Sequence, residues 1–218
     1  MKKLLIVLCG LSSANAVDMY AGSSVEVDNK TGMTQPTFKF NVHVPMGNNV
    51  TFNNYSKYYF DLNSDKRNHI LDNNSTLKIA YGNSGFYSMI GYRGYVGLTG
   101  TYKDRQELKN GFAVDLAKNA SNHSYFTMYR YSDNAFKYVA GNDFTYKFTD
   151  KLSGTLGLAF DMWSNAKPDK PYMSFEGIAK LNYSITQNVP ISIEQKMVRN
   201  LQTNVITDTT MIEIGYKF

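Results

Sequence analysis

From Val17 onward the chain alternates apolar and polar residues with a period of two in run after run. Phe38, Phe40, Val42 and Val44 are interleaved with Lys39, Asn41 and His43, and Leu77, Ile79 and Tyr81 with Lys78 and Ala80. Phe112, Val114 and Leu116 alternate with Ala113, Asp115 and Ala117, and Phe144, Tyr146 and Phe148 with Asp143, Thr145 and Lys147. Leu156, Leu158, Phe160 and Met162 alternate with Thr155, Gly157, Ala159 and Asp161. Phe175, Gly177, Ala179, Leu181 and Tyr183 do the same with Glu176, Ile178, Lys180 and Asn182, and Val189, Ile191 and Ile193 with Pro190, Ser192 and Glu194. Tyr125, Thr127, Tyr129 and Tyr131 read as the apolar side of their run, opposite Phe126, Met128, Arg130 and Ser132. At the end of the chain Ile212, Ile214, Tyr216 and Phe218 fall on one face and Met211, Glu213, Gly215 and Lys217 on the other. Successive side chains of a strand point to opposite faces, so each run predicts a strand with one apolar and one mixed face. No stripe of period 3.6 competes with this pattern.

The runs fall near residues 18–28, 35–44, 49–61, 74–82, 85–93, 94–103, 110–118, 122–132, 135–148, 151–163, 172–185, 189–200 and 208–218. Turn signals separate them at Asn29-Lys30-Thr31-Gly32, Asn83-Ser84-Gly85, Lys109-Asn110-Gly111 and Thr149-Asp150-Lys151. Two polar stretches, Asn63–Asn74 and Asn165–Pro171, read as the longest loops. The weakest division is at Gly94; merging the runs on either side of it leaves twelve strands, an even number. The expected fold is all-β: a single antiparallel transmembrane β-barrel of about 12 strands over residues 17–218, with 10 or 8 as smaller alternatives.

Composition agrees with an inside-out barrel. The chain holds 17 Tyr and 13 Phe but one Trp, and its mean hydropathy is −0.37. Alternating strands keep the mean low while aromatic girdles raise the ring content. No apolar stretch reaches the length of a membrane-spanning helix.

Residues 1–16 read differently. Met1-Lys2-Lys3, the apolar run Leu4–Leu8 and the Ala14-Asn15-Ala16 ending are the three parts of a secretory signal peptide, cleaved to leave Val17 first. Cys9, the one cysteine, lies inside it, and the preceding Leu8 is not the small residue that a lipoprotein signal needs. The mature chain then has no disulfide and no thiol nucleophile. Removing Lys2 and Lys3 lowers the formal charge from +5 to about +3, with basic residues dispersed, so nucleic acid is not an expected partner. Export and a barrel together place the protein in the outer membrane of a Gram-negative cell. Its expected partners there are lipid and lipopolysaccharide, the barrel assembly machinery through the strand ending at Phe218, and small hydrophilic solutes.

The strand phase then predicts a charged interior. The pore-lining candidates are Lys39, Lys78, Lys103, Arg130, Lys137, Lys147, Lys180 and Lys196, with Glu176 and Glu194 among the acids. Lys217, Glu26, Asp115, Asp143, Asp161 and Glu213 fall on the same side. Such a wall would attract anions if the basic excess remains free, and would be inert if the two signs pair across neighbouring strands.

The segment Tyr125-Phe126-Thr127-Met128-Tyr129-Arg130-Tyr131-Ser132-Asp133 resembles a mid-barrel strand of the oligogalacturonate-specific and N-acetylneuraminate porin family. The chain length, strand count and the Ile214-Gly215-Tyr216-Lys217-Phe218 ending are similar too. The resemblance implies a narrow, monomeric, twelve-stranded channel with a basic track for acidic sugars, and carries Arg130 over to an inward arginine. The family's pores are rich in arginine, whereas this chain has five in all.

Catalysis has little to stand on. The histidines are His43, His69 and His123; His123 and Ser124 are adjacent and so face opposite sides of a strand, and His69 sits in a polar stretch near Asp65 and Asp72. No phosphate loop, metal-ligand cluster or dinucleotide fingerprint occurs, and no cofactor is expected. The leading expectation is a passive diffusion channel (porin). A non-conducting structural or adhesion barrel is the alternative, and a lipid-modifying barrel enzyme a weaker one.

Overall fold

A computed structural model of the protein describes residues 17–32, 34–60, 70–97, 104–164 and 172–218. Its strands are β1 (Asp18–Asp28), β2 (Thr34–Pro45), β3 (Val50–Tyr59), β4 (Ile70–Ala80), β5 (Phe86–Gly97) and β6 (Arg105–Ala117). There follow β7 (Ala120–Tyr131), β8 (Phe136–Lys147), β9 (Leu152–Ser164), β10 (Tyr172–Ser184), β11 (Pro190–Asn200) and β12 (Ile206–Lys217). Each pairs antiparallel with its neighbour in sequence, and β1 pairs with β12, so the sheet closes into a barrel without an edge. The fold class and the strand number are as expected. Closure matters because hydrocarbon offers no partner to an unpaired backbone N–H or C=O.

Three details of the expected layout are corrected. Gly94 lies within β5, so the merger there is right, but β6 begins at Arg105 rather than at residue 110. Lys109-Asn110-Gly111 is therefore mid-strand and not a turn; the chain turns at Lys118–Asn119. β4 begins at Ile70, so Asp72, Asn73 and Asn74 are strand residues, not loop. The expected signal peptide 1–16, the stretch 165–171, Asp65, His69 and Lys103 lie outside the described residues.

The faces are reversed relative to a water-soluble protein. Ile90, Leu156, Leu158 and Ile212 are 55–64 % exposed on the outside, whereas Thr37, Thr127, Ser174 and Asp72 are fully buried within the wall. An apolar surface running round the molecule fits a hydrocarbon solvent. At the end bearing the termini, segments 46–49, 81–85, 118–119, 148–151 and 185–189 join the strands; at the other end β1–β2, β7–β8 and β11–β12 are joined by four or five residues, and β3–β4, β5–β6 and β9–β10 by seven to ten. Short periplasmic turns and longer extracellular loops have this asymmetry.

Inner tyrosines lie flat over glycines of the wall. Tyr20 covers Gly22 and its partner Gly215, Tyr87 covers Gly111, and Tyr125 covers Gly141; a Cβ at Gly111, Gly141 or Gly215 would enter the ring above it. Tyr20 in turn donates to Glu213 Oε1 at 2.6 Å, and Lys39 reaches across β1, over Gly22, to the same carboxylate. Gly215→Leu would lift Tyr20 off that carboxylate. We expect it to destabilise the β1–β12 seam by about 1–3 kcal/mol, the scale of a hydrogen bond to a charged group. Urea unfolding followed by heat-modifiable gel migration measures this, and Tyr20→Ala in the same chain should remove most of the penalty.

Candidate functional site: the charged lumen

The register assigns every wall residue to a face. Lys39 opposes Gly22 and Lys57, and Lys57 opposes Asp72; this row is interior. By the same connectivity Lys78, Lys137, Lys147, Lys180, Lys196, Glu176 and Glu194 lie on the inner side, as expected. Lys217, Glu26, Asp115, Asp143, Asp161 and Glu213 join them.

Arg130 is the exception. It opposes Gln106 and Phe136, in the same phase as the outward, half-exposed Phe126, and donates to Asn134 Oδ1 at 3.2 Å at the rim. The whole Tyr125–Tyr131 run is inverted: Tyr125, Thr127, Tyr129 and Tyr131 face inward and Phe126 and Met128 outward. Both faces of this strand are apolar enough to satisfy either phase. The glycine seat opposite Tyr125 settles the choice by letting a bulky ring fit on the concave side.

The lumen also contains charges absent from the sequence reading: Lys57, Asp72, Arg93, Arg105, Glu107 and Lys109. Asp72 escaped because the outward face of β4 is itself polar there. Asn73 and Ser75 bond to Ser56 and Asn54 of β3, which erases the period-two signal. Arg105, Glu107 and Lys109 escaped because one apolar residue, Leu108, interrupts a run that otherwise reads as a polar loop. The usable signal was their alternation with Gln106 and Leu108, a strand with an entirely charged face.

Most of these charges pair across the wall. Lys39 binds Glu213, Arg93 clamps Asp72 through two nitrogens with Nε–Oδ1 at 2.6 Å, and Lys137 meets Asp161 at 2.5 Å. Lys196–Glu176 is 2.8 Å, Lys180–Glu194 3.5 Å and Lys57–Glu26 3.9 Å. Among the described residues five interior cations, Lys78, Arg105, Lys109, Lys147 and Lys217, have no ion pair with a carboxylate, and the first three of them lie over rings. Lys78 is 4.2 Å from the Tyr87 centroid, Lys109 4.1 Å from Tyr125, and Arg105 4.2 Å from Tyr129 and 5.9 Å from Tyr131. A ring face holds a cation in place without neutralising it. The ring-seated cations therefore lie on β4 and β6, with Glu107 between Arg105 and Lys109 on the same face, while the charges of β10 and β11 are matched in pairs.

Asn41 Oδ1, Asn74 Oδ1 and Arg105 Nε are buried without a hydrogen-bond partner in the described protein, and all three belong to the interior row Asn41–Tyr55–Asn74–Arg93–Arg105. Buried polar atoms are ordinarily satisfied. In a lumen, water or a passing solute supplies the missing partner.

The two described histidines are held by neighbouring wall residues. His43 Nδ1 is 2.6 Å from Asn53 Oδ1; His123 lies between the Tyr87 hydroxyl (2.7 Å) and Asp143 (3.4 Å), while Ser124 points outward and accepts from Asn142. Among the described residues no group of three or more His, Cys, Asp or Glu could hold a metal ion.

A closed, twelve-stranded antiparallel barrel with an apolar exterior and a charged lumen is the architecture of a membrane-spanning β-barrel. Comparison with known proteins agrees at the level of the fold. The KdgM porin superposes with a TM-score of 0.64 at 12 % identity, covering 91 % of this chain and 99 % of the porin. The NanC porin gives 0.60 at 12 % identity over 93 % and 100 % of the two chains. An outer membrane channel from Pseudomonas putida F1 gives 0.65 at 11 % identity over 94 % and 96 %. No family model matches the sequence, and no curated protein matches it.

Proposed function

We propose that the protein is an outer-membrane channel for the passive diffusion of small hydrophilic solutes, anionic ones preferred. The observation that carries this is the set of interior cations, Lys78, Arg105 and Lys109, that rest on tyrosine rings and lack a carboxylate partner among the described residues. A solute enters by size, is drawn by the ring-seated cations and exchanges hydration water for the open polar atoms of the wall. No bond is made or broken, so the reading needs no catalytic residue and no cofactor. Residues 1–16 serve as a cleaved export signal, the barrel works as a monomer, and lipid and lipopolysaccharide surround it. The likeness in fold to KdgM, one structure of which is a complex with disordered oligogalacturonate, makes acidic sugars the first solutes to try.

Single-channel recording of the refolded barrel in a planar bilayer tests the proposal. Steady steps are expected, with a reversal potential in a salt gradient that reports anion preference. A folded, heat-modifiable barrel with no conductance would overturn the channel reading. The ion-paired half of the wall would then mark a closed, structural barrel.

A further inference from the structure

The outward face of β4–β8 is not a uniform apolar surface. Two adjacent register rows run obliquely across it, one of Phe52, Leu77, Ile90, Leu108 and Met128, the next of Ser75, Tyr92, Gln106 and Arg130. Between them lies an external groove of about 780 Å³. Ser75, the smallest side chain of its row, forms its low point. Because register rows climb around a tilted barrel, the groove starts near the first residues of β3 and the middle of β4 and ends at the top of β6–β8, away from the termini.

At that upper end it meets a second, polar hollow of about 280 Å³, which shares Tyr92, Gln106 and Arg130 and adds Asp104, Ser132 and Asn134. The Arg130 guanidinium makes one protein hydrogen bond, to Asn134, and no ion pair among the described residues. Asn134, in the left-handed conformation that asparagine readily adopts in a tight turn (φ 62°), has its amide oxygen on Arg130. Asp104 accepts from the Tyr92 hydroxyl at 2.6 Å and from the Tyr95 N–H at 3.1 Å. These donors hold its carboxyl below the usual range, so it stays ionised as an acceptor.

An apolar trough leading to a hollow with one free guanidinium and several amide, hydroxyl and carboxylate groups matches a lipid that carries both a phosphate and a sugar. We propose that this face binds a phosphorylated glycolipid of the outer leaflet, lipid A being its simplest form. One acyl chain lies between the two rows, the phosphate rests on Arg130, and sugar hydroxyls meet Asp104, Gln106, Ser132 and Asn134. Arg130 supplies the complementary charge and fixes the depth of the headgroup. The site is on the outside of the wall and does not depend on whether the lumen conducts.

Native mass spectrometry of the refolded full chain in non-ionic detergent provides the test, with lipid A, phosphatidic acid and inorganic phosphate titrated separately. A single lipid A adduct is expected, surviving activation that strips phosphatidic acid. Arg130→Gln, at an exposed rim position, should weaken it about tenfold or more. Ser75→Phe, which fills the groove from its floor, should weaken lipid A and leave the small retention of inorganic phosphate unchanged. Gel migration before and after heating confirms that each variant is folded. Equal retention of lipid A and phosphatidic acid, an unaffected Arg130→Gln, or a second copy of the chain occupying the face would each overturn the proposal.

Discussion

The double variant Arg105→Gln, Lys109→Gln is expected to lose most of the anion preference of the channel while conserving its fold. Both side chains lie over interior rings and neither has a carboxylate within ion-pair distance among the described residues, so no ion pair is broken by their removal. Glu107, between them on the same face of β6, then dominates that stretch of wall. A unit charge a few ångströms from a permeating ion in water is worth about 1 kcal/mol, or about fivefold in partition for each cation removed. The permeability ratio in a salt gradient should shift towards cations by that order at low ionic strength. The shift should shrink steeply near 1 M salt, where the screening length is about 3 Å. Arg199→Gln is the control: Arg199 is exposed on the outer face of β11 and bonded to Asn204, and its loss should leave the ratio where it was. An unchanged ratio in the double variant would remove the electrostatic mechanism even from a conducting barrel.

Asp72→Ala should have the largest effect on stability. Asp72 is fully buried and engaged by two nitrogens of Arg93, so its removal leaves a guanidinium in the wall without its counter-charge. Breaking one side of such a pair costs about 3–5 kcal/mol, whereas exchanging both partners for apolar side chains is far milder. Urea unfolding in vesicles should therefore show a large loss for Asp72→Ala and substantial recovery for Asp72→Ala, Arg93→Met. The freed Arg93 also adds to the positive excess. The single variant that still folds should thus move selectivity towards anions, opposite to the β6 double variant. A loss below about 1 kcal/mol would mean the clamp is solvated enough to be worth no more than a surface pair.

How much of the site could be read in advance varied from strand to strand. β12 was legible in full because Ile212, Ile214, Tyr216 and Phe218 are apolar and Glu213, Gly215 and Lys217 are not, so one phase alone places the polar set inside. β7 was not, because Tyr125, Tyr129 and Tyr131 are as acceptable to lipid as Phe126 and Met128, and Arg130 was consequently assigned to the wrong side. The start of β4, Ile70–Asn73, was hidden by the outward Asn73 and Ser75, whose polarity is met by Asn54 and Ser56 on the next strand, a compensation invisible along one chain segment. Gly111 looked like a turn residue and is a seat for Tyr87.

What the sequence determined by itself was the kind of structure. Period-two alternation repeated about twelve times, with polar residues on one face and no helical stripe, leaves a closed sheet with its apolar side outward as the arrangement that satisfies both backbone and hydrocarbon. What only the tertiary structure decided was which charges remain free. Lys180, Lys196 and Lys137 look the same in sequence as Lys78 and Lys109, yet register places an acid beside each of the first three and a tyrosine ring beneath the other two. Pairing depends on residues far apart in the chain brought within a few ångströms, and alternation along a single strand carries no record of what its neighbour presents.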